Sequence, residues 1–438
     1  MLSTIIIKLR QYPDYFKSLA SGYGLMVANI VIQVVLVPLY VKVLGKYQFG
    51  VLMLLLAFVN YAAVGINWMT GGVMRVMGEF AANKNFPAFE SAYSLSKYVY
   101  VGYALLLVGA VSVFWAFLGG VWEARIPPNA EHAVLGGIFF TALYLVAFYD
   151  LSVDRVALTA MGRQYAANLL QVTAVVSFAG AVVPLLLSGA NLVHVMACML
   201  GGVLLARVVS LMYWKRVHVR VGWRLLDKRQ KDVFRRLRGK TGVAFFVYGA
   251  ILLTMQADTM LVGYLGGVSM AAEYVLLWKV AEVAVFLIWR IPETLLPDLI
   301  HMDARNEQAR LGRTYRSVWR WTFGAALLAG IGYAIFGHEI VSLWVGADHA
   351  PHRRWGYVLA GAGIFLLGSC RTPAVFAYGT LRLRQLIKVS SLELLLKLGL
   401  TVLLFPYLGY LSPLAALVAT HASGVYYLYW KLGSRSYA

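Results

Sequence analysis

The sequence predicts an all-α integral membrane protein of about twelve transmembrane helices, organised as two similar six-helix halves. Three observations carry this prediction. Of the 438 residues, 61% are hydrophobic and only 13% charged, with a mean hydropathy of +0.70, more apolar surface than a water-soluble fold of this size can cover. Charge-free runs of about 20 residues, the length that crosses the hydrocarbon as a helix, recur along the whole chain. The 39 Lys and Arg residues, which set a net charge of +20, lie between those runs and not on one compact face. They therefore read as topology signals and argue against a nucleic-acid partner.

The elements follow in order. Helices one to three occupy 18–41, 47–74 and 98–122, none with an Asp, Glu, Lys or Arg, and helix four occupies 132–149 after a Pro-containing loop. The run 164–206 is too long for one span, and Ser188-Gly189-Ala190-Asn191 is its hairpin turn between helices five and six. Helix seven covers about 241–265 and contains Asp258. Helix eight covers about 271–296 with five charges, four of them in one stripe, and helices nine and ten about 317–337 and 355–381. Helices eleven and twelve share 398–430, split between Pro406 and Pro413.

With the N-terminus placed in the cytoplasm, inside loops and tails hold 29 Lys and Arg, outside loops hold 5, and 5 fall within spans. Both termini are thus expected inside. The segment 1–17, with Lys8, Arg10 and Lys17, precedes a full-length span and reads as an anchor and not a cleaved signal. The expected organisation is a cytoplasmic segment 1–17, a first lobe 18–214, a basic linker 215–240, a second lobe 241–431 and a tail 432–438. In the linker, eleven Lys and Arg face Asp227 and Asp232, a composition suited to a connector touching anionic lipid headgroups.

An offset of 221 residues lays Leu44-Gly45 on Leu265-Gly266 and brings the centre of each of helices one to six inside its counterpart among seven to twelve. Six helices per half is an even number, so both halves enter the membrane in the same sense, as a parallel repeat.

An ionisable group at membrane depth costs at least about 2.5 to 3.5 kcal/mol and therefore needs a partner or water. On helix eight, Lys279, Glu282, Arg290 and Glu293 fall within an arc of roughly 80 degrees, which cannot face lipid. Two readings stand: a salt-bridge ladder between helices, or the wall of a wet cavity. Asn29 and Gln33 lie one turn apart on helix one, Asn60 and Asn67 share a face of helix two with Arg75 near its inner end, and helix seven supplies Gln256 and Asp258. These polar faces belong to corresponding helices of the two halves, although for the amides alone interhelical hydrogen bonding is the commoner explanation. The offset also equates Asp150 with Arg371, opposite charges that form a candidate inner gate pair.

Other chemistry is sparse. Cys198 and Cys370 lie inside apolar runs, and His132, His194, His338, His349, His352 and His421 lack metal-ligand spacing and read as surface or packing residues. No Gly-rich Lys-Ser/Thr phosphate loop occurs, so neither ATP hydrolysis nor any bound cofactor or metal is expected of this chain, which does not read as an enzyme.

Val37-Pro38-Leu39-Tyr40 followed by Leu44-Gly45-Lys46-Tyr47-Gln48-Phe49-Gly50-Val51 resembles the first hairpin of polysaccharide exporters in the multidrug/oligosaccharidyl-lipid/polysaccharide superfamily, of the O-antigen flippase (Wzx) type. Its counterpart is Asp258-Thr259-Met260-Leu261-Val262-Gly263-Tyr264-Leu265-Gly266 with Glu273-Tyr274, and Ile340-Val341-Ser342-Leu343-Trp344-Val345-Gly346 is similar to the segment after helix nine in that family. The resemblance implies two lobes forming a V around a central cavity, in a bacterial inner membrane. It implies movement of an undecaprenyl-diphosphate-linked oligosaccharide across that membrane by alternating access, for surface polysaccharide biosynthesis. Lys279, Arg290, Arg75 and Arg371 then become candidates for the diphosphate, and Asn29, Gln33, Asn60, Asn67 and Gln256 for sugar hydroxyls. Asp258, Glu282 and Glu293 are candidates for coupling to a proton or sodium gradient, with Asp150 at the gate. Expected partners are the lipid-linked substrate, membrane lipids and other polysaccharide-assembly membrane proteins. The rival readings are a multidrug or lipid II exporter of the same superfamily and a membrane-embedded enzyme of envelope biogenesis.

Overall fold

A computed structural model describes residues 13–123, 130–217, 222–223, 257–296, 299, 302–303, 305–380 and 382–434. Gln256 and most of the expected linker lie outside the described residues, as does the side chain of Asn67. Every regular element among the described residues is helical.

Helices α1 and α2 are the two arms, 13–44 and 46–82, of the stretch Pro13–Ala82, broken at Gly45 where the backbone turns to φ 71 and ψ 167. Then follow α3 (Phe86–Glu123), α4 (Glu131–Ala160), α5 (Gln164–Leu187) and α6 (Leu192–Val217). The described part of α7 is 257–266, and α8 (Val268–Glu293), α9 (Gln308–Val345), α10 (Arg354–Gly379) and α11 (Leu383–Leu408) continue the order. The last helix, α12 (412–434), begins after a short 3-10 turn at Gly409–Leu411 and contains a π turn at His421–Val425. Seven stretches among the described residues are long and apolar enough to cross a membrane, and the first and last of them, Gly24–Asn60 and Leu383–Gly433, each contain one of these breaks.

The turns fall where the sequence places them, for local reasons. Between α5 and α6, Gly189 (φ 85) closes the helix end, Ala190 N donates to Leu185 O at 3.0 Å, and Asn191 Oδ1 accepts from Val193 N at 3.1 Å as the next helix begins. The spans, in contrast, run past their predicted ends. Helix α3 starts before Lys97, α4 continues through Asp150, Asp154 and Arg155, α9 begins nine residues earlier than 317, and α11 takes in Glu393 and Lys397. A charge ends an apolar run, but it does not end a helix whose charges are paired or held at the headgroup level.

The described residues divide into two compact units, one within Met1–Gln48 and Ala62–Phe245, the other within Phe49–Tyr61 and Phe246–Ala438. The segment 49–61 of α2 thus groups with the second unit, where Leu54 crowds Gly263 and the Val268 side chain and carbonyl crowd Gly50. In the first unit α4 is the hub, packed on α3, α5 and α6, with α5 on α6. The second unit repeats each of these pairs: α10 packs on α9, α11 and α12, and α11 on α12. The backbone repeats too. Gly45 (φ 71) and Gly267 (φ 86) break the first helix pair of each half, and the only non-glycine residues with positive φ among those described, Lys84 (φ 52) and Asn306 (φ 56), occupy the corresponding next connection.

At the α9–α10 crossing, Gly330 and Gly361 face each other, and a Cβ on Gly330 would lie 2.6 Å from the Gly361 carbonyl oxygen. Gly330→Val should therefore lower the melting temperature of the detergent-solubilised protein, a loss of about 1 to 3 kcal/mol. Gly332→Val, at a position with nothing within 4 Å, is the control expected to leave it unchanged.

Candidate functional site

Helix α8 keeps its four predicted charges on one face and pairs them one turn apart. Lys279 Nζ donates to Glu282 Oε2 at 2.8 Å, and Arg290 Nη1 to Glu293 Oε2 at 3.2 Å. Helix α10 adds a fifth charge: Arg371 Nη2 donates to Glu293 Oε1 at 2.5 Å, with its guanidinium 4.4 Å from the Trp289 ring centroid. Trp289 is itself fixed by donating from Nε1 to the Leu367 carbonyl at 2.9 Å. Side-chain exposure is 25% for Lys279, 12% for Glu282, 56% for Arg290, 27% for Glu293 and 20% for Arg371, so this face is partly exposed and not sealed in apolar packing. Three cations against two carboxylates leave one positive charge uncompensated within the group.

A second polar set in the same unit is closed. Lys397 Nζ on α11 donates to Asp258 Oδ2 at 2.7 Å, and Tyr274 on α8 donates to the same oxygen at 2.8 Å; both charged side chains are almost fully buried. This joins α7, α8 and α11 through one carboxylate. One turn earlier on α11, Glu393 Oε2 accepts from Tyr429 at 2.7 Å, and its other oxygen lies 3.7 Å from His421 Nε2. His421 Nδ1 donates to Leu417 O at 3.0 Å, in the π turn of α12 where Gly424 takes φ 115.

The first unit contains a quartet of its own, formed by α3, α4 and α6. Lys97 Nζ contacts Asp150 Oδ1 at 2.6 Å and Asp154 Oδ2 at 3.4 Å, while Arg207 Nε contacts Asp150 Oδ2 at 2.9 Å and its Nη1 pairs with Asp154 Oδ2. Asp154 Oδ1 also accepts from Tyr93 at 2.5 Å and from Trp214 Nε1 at 2.9 Å. Lys97 and Asp154 are fully buried, and two cations balance two anions. Such a cluster is tolerated at membrane depth because every charge has its opposite at hydrogen-bond distance.

The structure forms two groups along this face, Lys279 with Glu282 and Arg290 with Glu293 and Arg371, both partly exposed. It separates Asp258 from them by giving it to Lys397. Asp150 and Arg371 each find opposite charges inside their own unit, Asp150 with Lys97 and Arg207 and Arg371 with Glu293, so neither needs the other for charge balance. Arg75, largely exposed, pairs with Glu79 one turn on at 3.5 Å. Asn29 donates to Leu25 O of its own helix at 2.8 Å, and Gln33 and Asn60 are exposed.

Lys97, Asp154, Arg207, Glu393, Lys397 and the polar contact of His421 escape a reading based on charge-free runs, because most of them lie just beyond the ends of those runs. Their signal is the spacing. Tyr93 with Lys97, and Asp150 with Asp154, stand one turn apart on adjacent helices, and Arg207 with Trp214 two turns apart on a third.

No family model and no curated protein matches the chain. Solved structures do. An inward-facing multidrug resistance MATE family transporter of the MOP superfamily is similar with a TM-score of 0.76 at 11% identity, over 92% of this chain and 94% of that one. The lipid II flippase MurJ in an inward closed conformation gives 0.64 at 12% identity, over 94% and 90%. A MOP superfamily transporter from Pyrococcus furiosus, described by the reverse polarity of its binding pocket, gives 0.61 at 12%, over 98% and 95%. The chain therefore has the fold of the MOP superfamily transporters, an all-helical multi-pass membrane architecture.

Proposed function

We propose that this chain is a flippase that carries an undecaprenyl-diphosphate-linked oligosaccharide across the bacterial inner membrane by alternating access, supplying surface polysaccharide biosynthesis. The observation that carries the reading is the accessible face of α8 and α10, whose three cations outnumber its two carboxylates. A diphosphate pairs with guanidinium and ammonium through charge-assisted hydrogen bonds, and Arg290 and Arg371, which both pair with Glu293, would exchange that carboxylate for a phosphate. Sugar hydroxyls would meet the amides of Asn29, Gln33, Asn60, Asn67 and Gln256, and the prenyl tail would remain in lipid. A fold shared with a lipid II flippase supports a lipid-linked substrate.

Glu282 and Glu293 are the accessible carboxylates through which a proton or sodium ion would compete with the ladder cations, and Asp258 holds α7 to α11. The second reading, a multidrug exporter, is favoured by the TM-score of 0.76 to a MATE transporter. A cationic drug would, however, meet Lys279, Arg290 and Arg371.

Reconstituted proteoliposomes decide between them. Fluorescent lipid-linked oligosaccharide should gain access to the opposite leaflet only when the protein is present, while cationic dyes should not be moved. Dye efflux without sugar-lipid movement refutes the proposal, and sugar-lipid movement that persists after both gradients are collapsed removes the ion-coupling part.

A further inference from the structure

We propose that the start of α9 is a binding site for the phosphate headgroup of an anionic phospholipid, formed by Arg313, Arg316 and Arg320 with Trp321. These residues and Ser317 line an open depression of about 580 Å³. The opposite face of the same helix, Leu311, Tyr315, Val318 and Thr322, is buried against the second unit. Positions 313, 316 and 320 follow the i, i+3, i+7 spacing of one helix face, so the burial that anchors the helix also forces the three guanidiniums to the same side.

None of the three guanidiniums has an ion pair or hydrogen bond among the described residues, whereas the neighbouring Arg310 and Arg305 are matched to Glu307. Three like charges on one face repel, and an anion seated among them removes that cost. The same side of the helix continues upward as Leu327, Leu328, Ile331 and Ile335, all exposed, with Leu328 at 74%. Leu328 lies about 12 Å along the axis beyond Arg320, the offset from headgroup level into the acyl region. Trp321, exposed at 72%, stands at the junction, where an indole body meets hydrocarbon and its N–H meets the polar layer. Basic residues at one level and bare aliphatics at the next match a phosphate carrying acyl chains. The open, one-sided shape offers nothing to enclose a long prenyl chain, so a bilayer phospholipid is the occupant, on the side that the Lys and Arg count assigns to the cytoplasm. This site is independent of the transport substrate proposed above.

The test is native mass spectrometry of the full-length protein titrated with phosphatidylglycerol or phosphatidylcholine. Wild type should retain phosphatidylglycerol at least about fivefold over phosphatidylcholine. R313Q/R316Q/R320Q should abolish the preference, and the triple Lys substitution should keep most of it. Equal retention of the two lipids by wild type overturns the proposal. So does a triple Gln variant, folded by its melting curve, that binds phosphatidylglycerol as wild type does. Displacement of bound phosphatidylglycerol by equimolar polyprenyl diphosphate also overturns it, since the face would then belong to the transport substrate. Should the triple Gln variant fail to fold, the wild-type lipid comparison together with R316Q alone decides.

Discussion

Asp154→Leu should cost the folded protein about 3 to 5 kcal/mol, because it removes the acceptor on which four groups of the first unit converge. Lys97, fully buried, would keep Asp150 as its only carboxylate, and the Tyr93 hydroxyl and the Trp214 indole N–H would lose the oxygen they share. Each orphaned buried donor costs about 1 to 3 kcal/mol in addition to the uncompensated charge, and hydrocarbon on the outer side of the helices offers no water to replace it. The expected observation is a melting temperature at least about 5 °C lower in detergent, with reduced monodisperse yield. Lys97→Met in the same chain should restore part of the loss, since a neutral pair of similar volume replaces a broken ion pair. Equal melting curves for wild type and Asp154→Leu would show that the quartet does not hold α3, α4 and α6 together.

Arg371→Ala should reduce the initial rate of sugar-lipid translocation by about 10- to 100-fold with the protein still folded, corresponding to about 1.4 to 2.8 kcal/mol of lost interaction with the moving anion. Two effects combine. Under the proposed function the substitution removes a ligand for the phosphate, and it leaves Glu293 with Arg290 alone, turning the summed charge of the two groups on this face from positive to neutral. Arg371→Lys preserves the charge but loses the second guanidinium donor and the flat stacking on Trp289, so its rate should fall between the two. Glu293→Gln separates the contributions: if Glu293 is only a placeholder for phosphate, its loss should leave substrate binding intact or tighter. Wild-type rates in Arg371→Ala would sink the assignment of this face to the substrate.

Much of the architecture was legible in the sequence because it follows from the bilayer. Apolar length sets helix number, the Ser188–Asn191 and Pro406–Pro413 punctuation sets the hairpins, and the turn glycines Gly45 and Gly267 mark the repeat within one residue of the 221-residue offset. The α8 stripe was legible for the same reason, since a helix places residues three and four apart on one side wherever it sits. Partner choice was not. Local spacing suits Lys279 to Glu282, three residues on, but that Asp258 answers Lys397, 139 positions along the chain, depends on how α7 meets α11.

What the sequence determined by itself was therefore one-dimensional: span lengths, turn positions, the faces of single helices and the asymmetry of Lys and Arg between alternate loops. Tertiary structure alone decided which charges are compensated and which remain available. Lys97, Asp154, Glu393 and Lys397 read as loop residues until the helices are seen to continue through them, and Arg313 and Arg316 read as ordinary inside charges, with Arg320 in a span, until all three are seen to lack a side-chain partner among the described residues. The physical reason is that the energy of a charge in a membrane protein is set by what lies within a few ångströms of it, and those neighbours come mostly from other helices.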